Sequence, residues 1–176
     1  MSLISQRMKN LLILAIAAVV VVGLMSCKGA KGVTEKMPKK PVPTGKLVSF
    51  HYAHYGTMAQ PNYEYTLNRI DNKVTLCVFR PWIDEGWGDT IKVKDEVIDH
   101  VERLIKDNNL QNYLDHYHPE YQVLDGYGWG YEAEFDDDTV LSSSGSNARP
   151  ADNTLEVIGR YLDSCYAQVK GIKLDL

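Results

Sequence analysis

The chain has 176 residues, of which 44% are hydrophobic, so its length and composition allow one domain with a substantial core. Its formal net charge is −4, but residues 47–176 carry 11 basic and 22 acidic side chains, a net charge of −11. Nucleic-acid binding requires a basic footprint, so this acidic body argues against nucleic acid as a partner.

The start of the chain has the pattern of an export signal. Arg7 and Lys9 precede an uninterrupted apolar run at residues 11–22, and no acid occurs before that run. The run is shorter than the about 20 apolar residues that a membrane-spanning helix needs. This combination of a basic start and a short apolar segment is typical of a signal peptide.

The motif Leu24-Met25-Ser26-Cys27 follows the apolar run and resembles the lipobox of bacterial lipoproteins. In that family the cysteine thiol receives diacylglycerol, the leader is cut before the cysteine, and the new amino terminus is acylated. The resemblance implies a lipoprotein signal peptide at residues 1–26 and membrane lipid as a partner through acylated Cys27. Each buried methylene contributes about 0.8 kcal/mol, so several acyl chains on one residue give durable attachment.

The residue after the cysteine is Lys28, not an aspartate, which by the same resemblance implies sorting to the outer membrane of the cell envelope. An uncleaved anchor and an ordinary secretory signal are the alternative interpretations. Residues 27–46 are expected to be the lipidated cysteine and a flexible basic tether, rich in Lys, Gly and Pro. The tether lysines would be attracted to anionic head groups, although a plain solvated spacer is equally open.

Strands dominate the first part of the body. Polar and apolar residues alternate as in half-buried strands, or apolar residues run continuously as in a central strand. Asp71-Asn72 is a turn signal, so the second and third segments are expected to form a hairpin. The first four predicted strands cover residues 46–52, 63–70, 73–79 and 89–94.

A helix is predicted next, at residues 95–107, where apolar residues form one stripe with acids at the start and bases at the end. Two further strands follow at 128–135 and 139–144, and the acidic stretch Asp136–Asp138 forms the turn between them.

The last predicted helix covers residues 153–169, with Asn153 as its cap and Glu156 reaching back in a capping box. The element order predicts an α+β domain at residues 47–176 with a mainly antiparallel sheet of about six strands. Two helices are expected to pack on one face of that sheet, in a two-layer sandwich.

The segment RPWIDEGWGDT offers the best candidates for a binding surface. Trp82 and Trp87 share a loop with Asp84 and Glu85, and tryptophan provides a large, rigid contact area of the kind that binding sites favour. Such a surface would suit a protein, peptide or glycan ligand. The alternative is that both tryptophans fold back and cap the sheet.

Two further sets of residues could carry chemistry. His116 and His118 would share a face of an extended segment and are weak candidates for zinc ligands beside an acid, although no HExxH or CxxC motif supports them. Cys77 and Cys165 remain after lipidation of Cys27 and are candidates for a disulfide in an exported protein. Each can also be interpreted as a small buried apolar residue.

The stretch WGYEAEFDDDTVLSSSGSNARP resembles a segment of uncharacterised bacterial lipoproteins with domains of unknown function, a resemblance that implies no activity. Taken together, these patterns predict a membrane-anchored binding or interaction lipoprotein that is not an enzyme and needs no cofactor. Two alternatives are open. One is a metal-assisted hydrolase using His116, His118 and an acid, and the other is a small inhibitor of an exported hydrolase.

Overall fold

The computed structural model describes residues 40–57, 62–80, 88–121, 123 and 126–172, all of which belong to one compact unit, Met37–Leu176. The signal peptide and Cys27 lie outside the described residues. The elements within the described part are β1 Leu47–Tyr55, β2 Tyr63–Ile70, β3 Lys73–Phe79, β4 Asp89–Val93, helix α1 Asp95–Asp107, a 3₁₀ turn Leu110–Asn112, β5 His116–Tyr117, β6 Gly128–Phe135, β7 Val140–Ser146 and helix α2 Thr154–Lys170.

The described strands form one sheet in the order β4-β3-β2-β1-β6-β7-β5. All neighbours pair antiparallel except β5 and β7, which are parallel. The predicted α+β class with a mainly antiparallel sheet is therefore confirmed, but the sheet has seven strands instead of about six. The additional strand is β5, whose two residues are too few to show any periodicity.

Strand β6 shows how the sheet divides into a core face and an open face. Successive side chains of a strand point to opposite faces, and β6 buries its alternate residues while Glu132 and Glu134 are exposed. The buried residues of β6 are Trp129, Tyr131, Ala133 and Phe135.

The helices bury the apolar stripes that their sequences contain. The two helices and the core-facing strand residues contribute to a single apolar cluster, so one core serves the whole described unit. Neither helix has the length and apolar content that crossing a bilayer requires. The buried side chains of α1 are Val97, Ile98, Val101 and Ile105, and those of α2 include Leu155, Ile158, Leu162 and Tyr166.

The expected capping box of α2 is wrong. Asn153 makes no side-chain cap, and the backbone N–H of Thr154 donates instead to the carboxylate of Asp152 at 3.0 Å. Glu156 does not reach back because it forms an ion pair with Arg149. Asp152 thus supplies the side-chain acceptor that the sequence pattern assigns to Asn153, and Glu156 holds Arg149 instead.

Residues 40–46, which the sequence analysis assigns to the tether, are hydrogen-bonded to the domain, and we call them the strap. Asp137 in the β6–β7 turn accepts from the backbone N–H groups of Thr44 and Gly45, both at 2.8 Å, and from the Thr44 hydroxyl at 2.7 Å. Lys106 donates to the Gly45 carbonyl oxygen at 2.6 Å. The strap therefore joins the sheet at the end where β1 begins.

Candidate ligand-binding site

An open cleft of about 440 Å³ lies where helix α2 crosses the ends of strands β2 and β3, and we call it the α2 cleft. Its volume falls in the range of small-molecule sites. The cleft is lined by Asn62, Tyr63, Tyr65, Arg80, Glu156, Gly159, Arg160 and Asp163.

A glycine in the middle of the helix lies at the floor of the α2 cleft. Gly159 is buried, and a Cβ atom there would lie 3.4 Å from Cε1 of Tyr52 and 3.5 Å from Cε2 of Tyr65. The missing side chain brings the helix backbone close to these two rings, which stand on the core face of the sheet.

Asp163 links the helix to the sheet on one side of the cleft. Its Oδ1 accepts a hydrogen bond from Arg80 at 2.8 Å, and its Oδ2 accepts one from the Tyr65 hydroxyl at 2.7 Å. Burial raises the pKa of Tyr65 well above its ordinary value, and the hydrogen bond to Asp163 raises it further. Tyr65 is therefore a protonated donor at neutral pH, and each oxygen of the Asp163 carboxylate already accepts one hydrogen bond.

On the other side of the cleft, Arg149 connects three groups. It forms an ion pair with Glu156, its Nη2 lies 2.7 Å from Nε2 of His54, and its guanidinium stacks over the Tyr127 ring at 4.6 Å. A guanidinium can only donate, so Nε2 of the buried His54 accepts and is unprotonated in this arrangement. The geometry thus fixes Glu156 at the rim of the cleft.

Tyr63 provides the partly exposed aromatic surface of the cleft. Its ring stacks on His54 with centroids 4.9 Å apart and an interplanar angle of 14°, so its plane is held by the core. Its hydroxyl lies 3.4 Å from that of Tyr52, and burial raises the pKa of Tyr63, so the group stays protonated. The ring can contact a ligand, and the hydroxyl can donate to one.

The charges of the cleft are balanced and, with one exception, already paired. Arg80 pairs with Asp163 and Glu156 pairs with Arg149, while Arg160 is exposed on α2 and has no ion pair among the described residues. Paired, hydrogen-bonded charges in a cavity hold a ligand by fixed donors and acceptors. The arrangement is suited to binding, because both carboxylates are held in place by their partners.

The predicted tryptophan surface borders this cleft in the sequence. Trp82, Trp87, Asp84 and Glu85 lie outside the described residues. The β3 strand ends at Phe79, and Arg80, the last described residue before the loop, lines the cleft. The cleft and the loop are therefore adjacent along the chain.

His116 and His118 lie next to the open face of the sheet. Nδ1 of His116 is 2.9 Å from the Ser144 hydroxyl, Nδ1 of His118 is 3.1 Å from the carbonyl oxygen of Pro119, and the two rings are 6.1 Å apart. Within the described ranges, no three His, Cys, Asp or Glu side chains are grouped so that they could hold a metal ion. The zinc interpretation stays a prediction without a third ligand among these residues.

Cys77 and Cys165 do not form the disulfide that an even pair of cysteines allowed. Val78 and Leu76 face the core, so strand alternation places Cys77 on the open face of β3. Cys165 packs on helix α2 against the apolar core, and burial raises the pKa of its thiol. The sheet separates the two thiols, which explains why they are not bridged.

Sequence reasoning missed the residues that line the cleft. The alternation around Tyr63 and Tyr65 indicates only a strand, and no motif singles out the polar face of α2. One pattern in the sequence does indicate the cleft. Glu156, Arg160 and Asp163 are spaced i, i+4 and i+7, so they share one face of the helix, and Gly159 lies beside that face.

A second cavity, of about 520 Å³, lies beside edge strand β4 and is lined mainly by aliphatic and lysine side chains. Among the described residues that line it, no hydrogen-bonded charge pair like those of the α2 cleft is present. No protein-family model matches this sequence, and no curated protein matches it significantly.

Proposed function

We propose that this protein is a lipid-anchored, exported binding protein without catalytic activity, and that the α2 cleft is its ligand site. One observation carries the binding role: aromatic rings and oppositely charged, mutually paired side chains converge on a single open cavity. Ligand sites typically combine apolar walls with a few fixed polar groups. The lipobox pattern supports lipidation of Cys27 and a location at the outer membrane.

The loop 81–87 extends this site in the proposal. It follows directly on Arg80, so Trp82 and Trp87 are well placed in the chain to add aromatic surface, with Asp84 and Glu85 adding hydrogen-bond acceptors. The ligand would be a protein, peptide or glycan component of the cell envelope. The net charge of −11 in residues 47–176 disfavours nucleic acid.

We also propose that both helices pack on one face of the sheet, in a two-layer arrangement. Its support is that the apolar stripes of α1 and α2 belong to the same core cluster as the core-facing strand residues. The opposite face carries polar residues, among them Ser49, Thr66 and Glu132. A sheet covered on one side and solvated on the other is a common antiparallel arrangement.

Retention of an envelope component tests the proposed function. Protein purified from membranes is incubated with a small-molecule and peptide extract of the cell envelope, and retained compounds are identified by ultrafiltration and mass spectrometry. We expect at least one compound to be enriched by the wild type and lost with the double variant Trp82→Ala/Trp87→Ala. Tyr121→Ala is the matched control, because it removes an aromatic residue that is 74% exposed and outside the cleft.

Urea unfolding of the same variants separates binding from packing. Loss of retention with an unchanged unfolding midpoint supports a tryptophan binding surface. If each tryptophan caps the core, its truncation should cost about 3–5 kcal/mol, the usual range for a buried Phe or Trp, and the loop is then not part of the site. No retained compound with the wild type would contradict the binding role itself.

A further inference from the structure

We propose that the α2 cleft recognises a neutral, hydroxyl-rich ligand, namely a saccharide. This inference rests on the proposed binding function and names its ligand class. The charged residues that line the cleft are Arg80, Arg160, Glu156 and Asp163, which sum to zero net charge. An anionic ligand would face two carboxylates, and a cationic ligand would face two guanidinium groups, so neither is favoured by the lining.

The cleft contains hydrogen-bonding groups of both types. The guanidinium groups of Arg80 and Arg160 supply donors, and the carboxylates of Glu156 and Asp163 supply acceptors. A sugar hydroxyl donates and accepts at the same time, so it can bridge such neighbours without a change in protonation.

A zwitterionic ligand matches the zero net charge as well, but it fits the contacts less well. Asp163 is held by both Arg80 and Tyr65, and Glu156 is held by Arg149. A ligand ammonium group would have to compete with these existing pairs, a ligand carboxylate would find only Arg160 unpaired among the described lining residues, and both groups would lose part of their hydration on entry. Neutral hydroxyl groups can add to the pairs without breaking them.

The aromatic wall supports the same ligand class. The Tyr63 ring stacks on the His54 ring, with the two ring centroids 4.9 Å apart. It makes an interplanar angle of 51° with the Tyr65 ring, whose centroid is 5.5 Å away. An aromatic face carries partial negative charge and attracts positively polarised C–H groups, which line the faces of pyranose rings. The partly exposed Tyr63 ring can therefore contact the apolar face of a sugar, while the charged side chains beside it bind the hydroxyl groups.

Saturation-transfer NMR with defined probes tests this inference. The membrane-purified full chain is kept in a zwitterionic detergent that lacks a sugar headgroup, and is mixed in turn with maltose, cellobiose and N,N′-diacetylchitobiose. We expect ring protons of at least one disaccharide to receive saturation from the protein. Arg160→Ala should weaken that binding by about tenfold, the effect of losing one hydrogen bond to a charged group.

The control is Arg103→Ala, which removes an exposed helical arginine from α1 that does not line the cleft, and it should leave binding unchanged. Glycylglycine, citrate and spermidine serve as zwitterionic, anionic and cationic probes. If one of them binds in an Arg160-dependent way and no disaccharide does, the saccharide inference is wrong while the binding function stands. The saccharide inference is also wrong if no disaccharide receives saturation, or if the disaccharide that does so binds equally well to the Arg160→Ala variant.

Discussion

Two buried glycines differ in the space that the structure leaves for a methyl group. At Gly159 a Cβ atom would meet the rings of Tyr52 and Tyr65 at 3.4 and 3.5 Å, which is ordinary contact. At Gly145 a Cβ atom would lie 2.6 Å from the carbonyl oxygen of Ala148 and against the indole nitrogen of Trp129, which bonds that carbonyl. The first glycine is thus replaceable and the second is required for packing.

Gly159→Ala should stabilise the protein by about 0.5–1 kcal/mol. Glycine in a helix interior costs this much relative to alanine, because it leaves the unfolded backbone more freedom to lose on folding. The midpoint of urea unfolding should rise with an unchanged slope.

Gly145→Ala is the matched comparison and should lower the stability of the protein instead of raising it. The added methyl group overpacks the site and displaces the Trp129 indole from its hydrogen bond, at a cost of about 1–3 kcal/mol. A loss of stability in Gly159→Ala would show that the cleft floor is more crowded than the distances indicate.

At the scale of elements, one carboxylate of the β6–β7 turn accepts three of the hydrogen bonds that hold the strap. Asp137 accepts from the Thr44 hydroxyl and from the backbone of Thr44 and Gly45. These hydrogen bonds, the one from the Thr44 hydroxyl first, hold the pKa of Asp137 well below its usual range. A carboxyl whose pKa is lower in the folded chain stabilises the fold above its unfolded pKa of about 3.9. That contribution is lost as the pH falls through the folded value.

Asp137→Asn should therefore lower the melting temperature by a few degrees at pH 7, because an amide replaces a charged acceptor of several hydrogen bonds. The difference in melting temperature between the variant and the wild type should persist down to about pH 5 and become smaller below about pH 4. Thermal melts at pH 7, 5, 3 and 2 measure it.

Asp138→Asn is a suitable control for the same turn. Asp138 has a φ of 62°, which asparagine also tolerates, and its side chain accepts none of the strap hydrogen bonds. A difference between Asp137→Asn and the wild type that stays constant down to pH 2 would mean that the carboxylate charge does not hold the strap.

Local patterns predicted the elements well and the long-range contacts poorly. The bounds of β2, β3 and α1 agree with those expected from alternation and from the apolar stripe, because each pattern is set by neighbours in the chain. The strap and the α2 cleft join residues far apart in sequence, such as Thr44 with Asp137 and Tyr65 with Asp163. No periodicity encodes such pairs, so they could not be read from a single sequence.

For the whole molecule, the strap and the α2 cleft lie at opposite ends of β1. Leu47, which follows the strap, pairs with Phe135 at one end, and His54 pairs with Tyr63 of the cleft near the other. Nine residues of strand at about 3.3 Å each separate the two ends by roughly 26 Å. The strap and the α2 cleft are therefore well separated within the domain.

The proposed anchor is tested by Cys27→Ser. The variant lacks the thiol that would carry diacylglycerol, so it should be found in the soluble fraction or as an unprocessed precursor, while the wild type sediments with membranes and resists extraction with salt. Attachment by several acyl chains, at about 0.8 kcal/mol per buried methylene, explains the expected difference. Membrane fractionation followed by mass spectrometry of the amino-terminal peptide measures both location and processing.

Cys77→Ser is the matched control, since Cys77 lies in β3, outside the lipobox, and its replacement should not affect partitioning. A cleaved Cys27→Ser protein that still sediments with membranes would show that another feature of the chain holds it there.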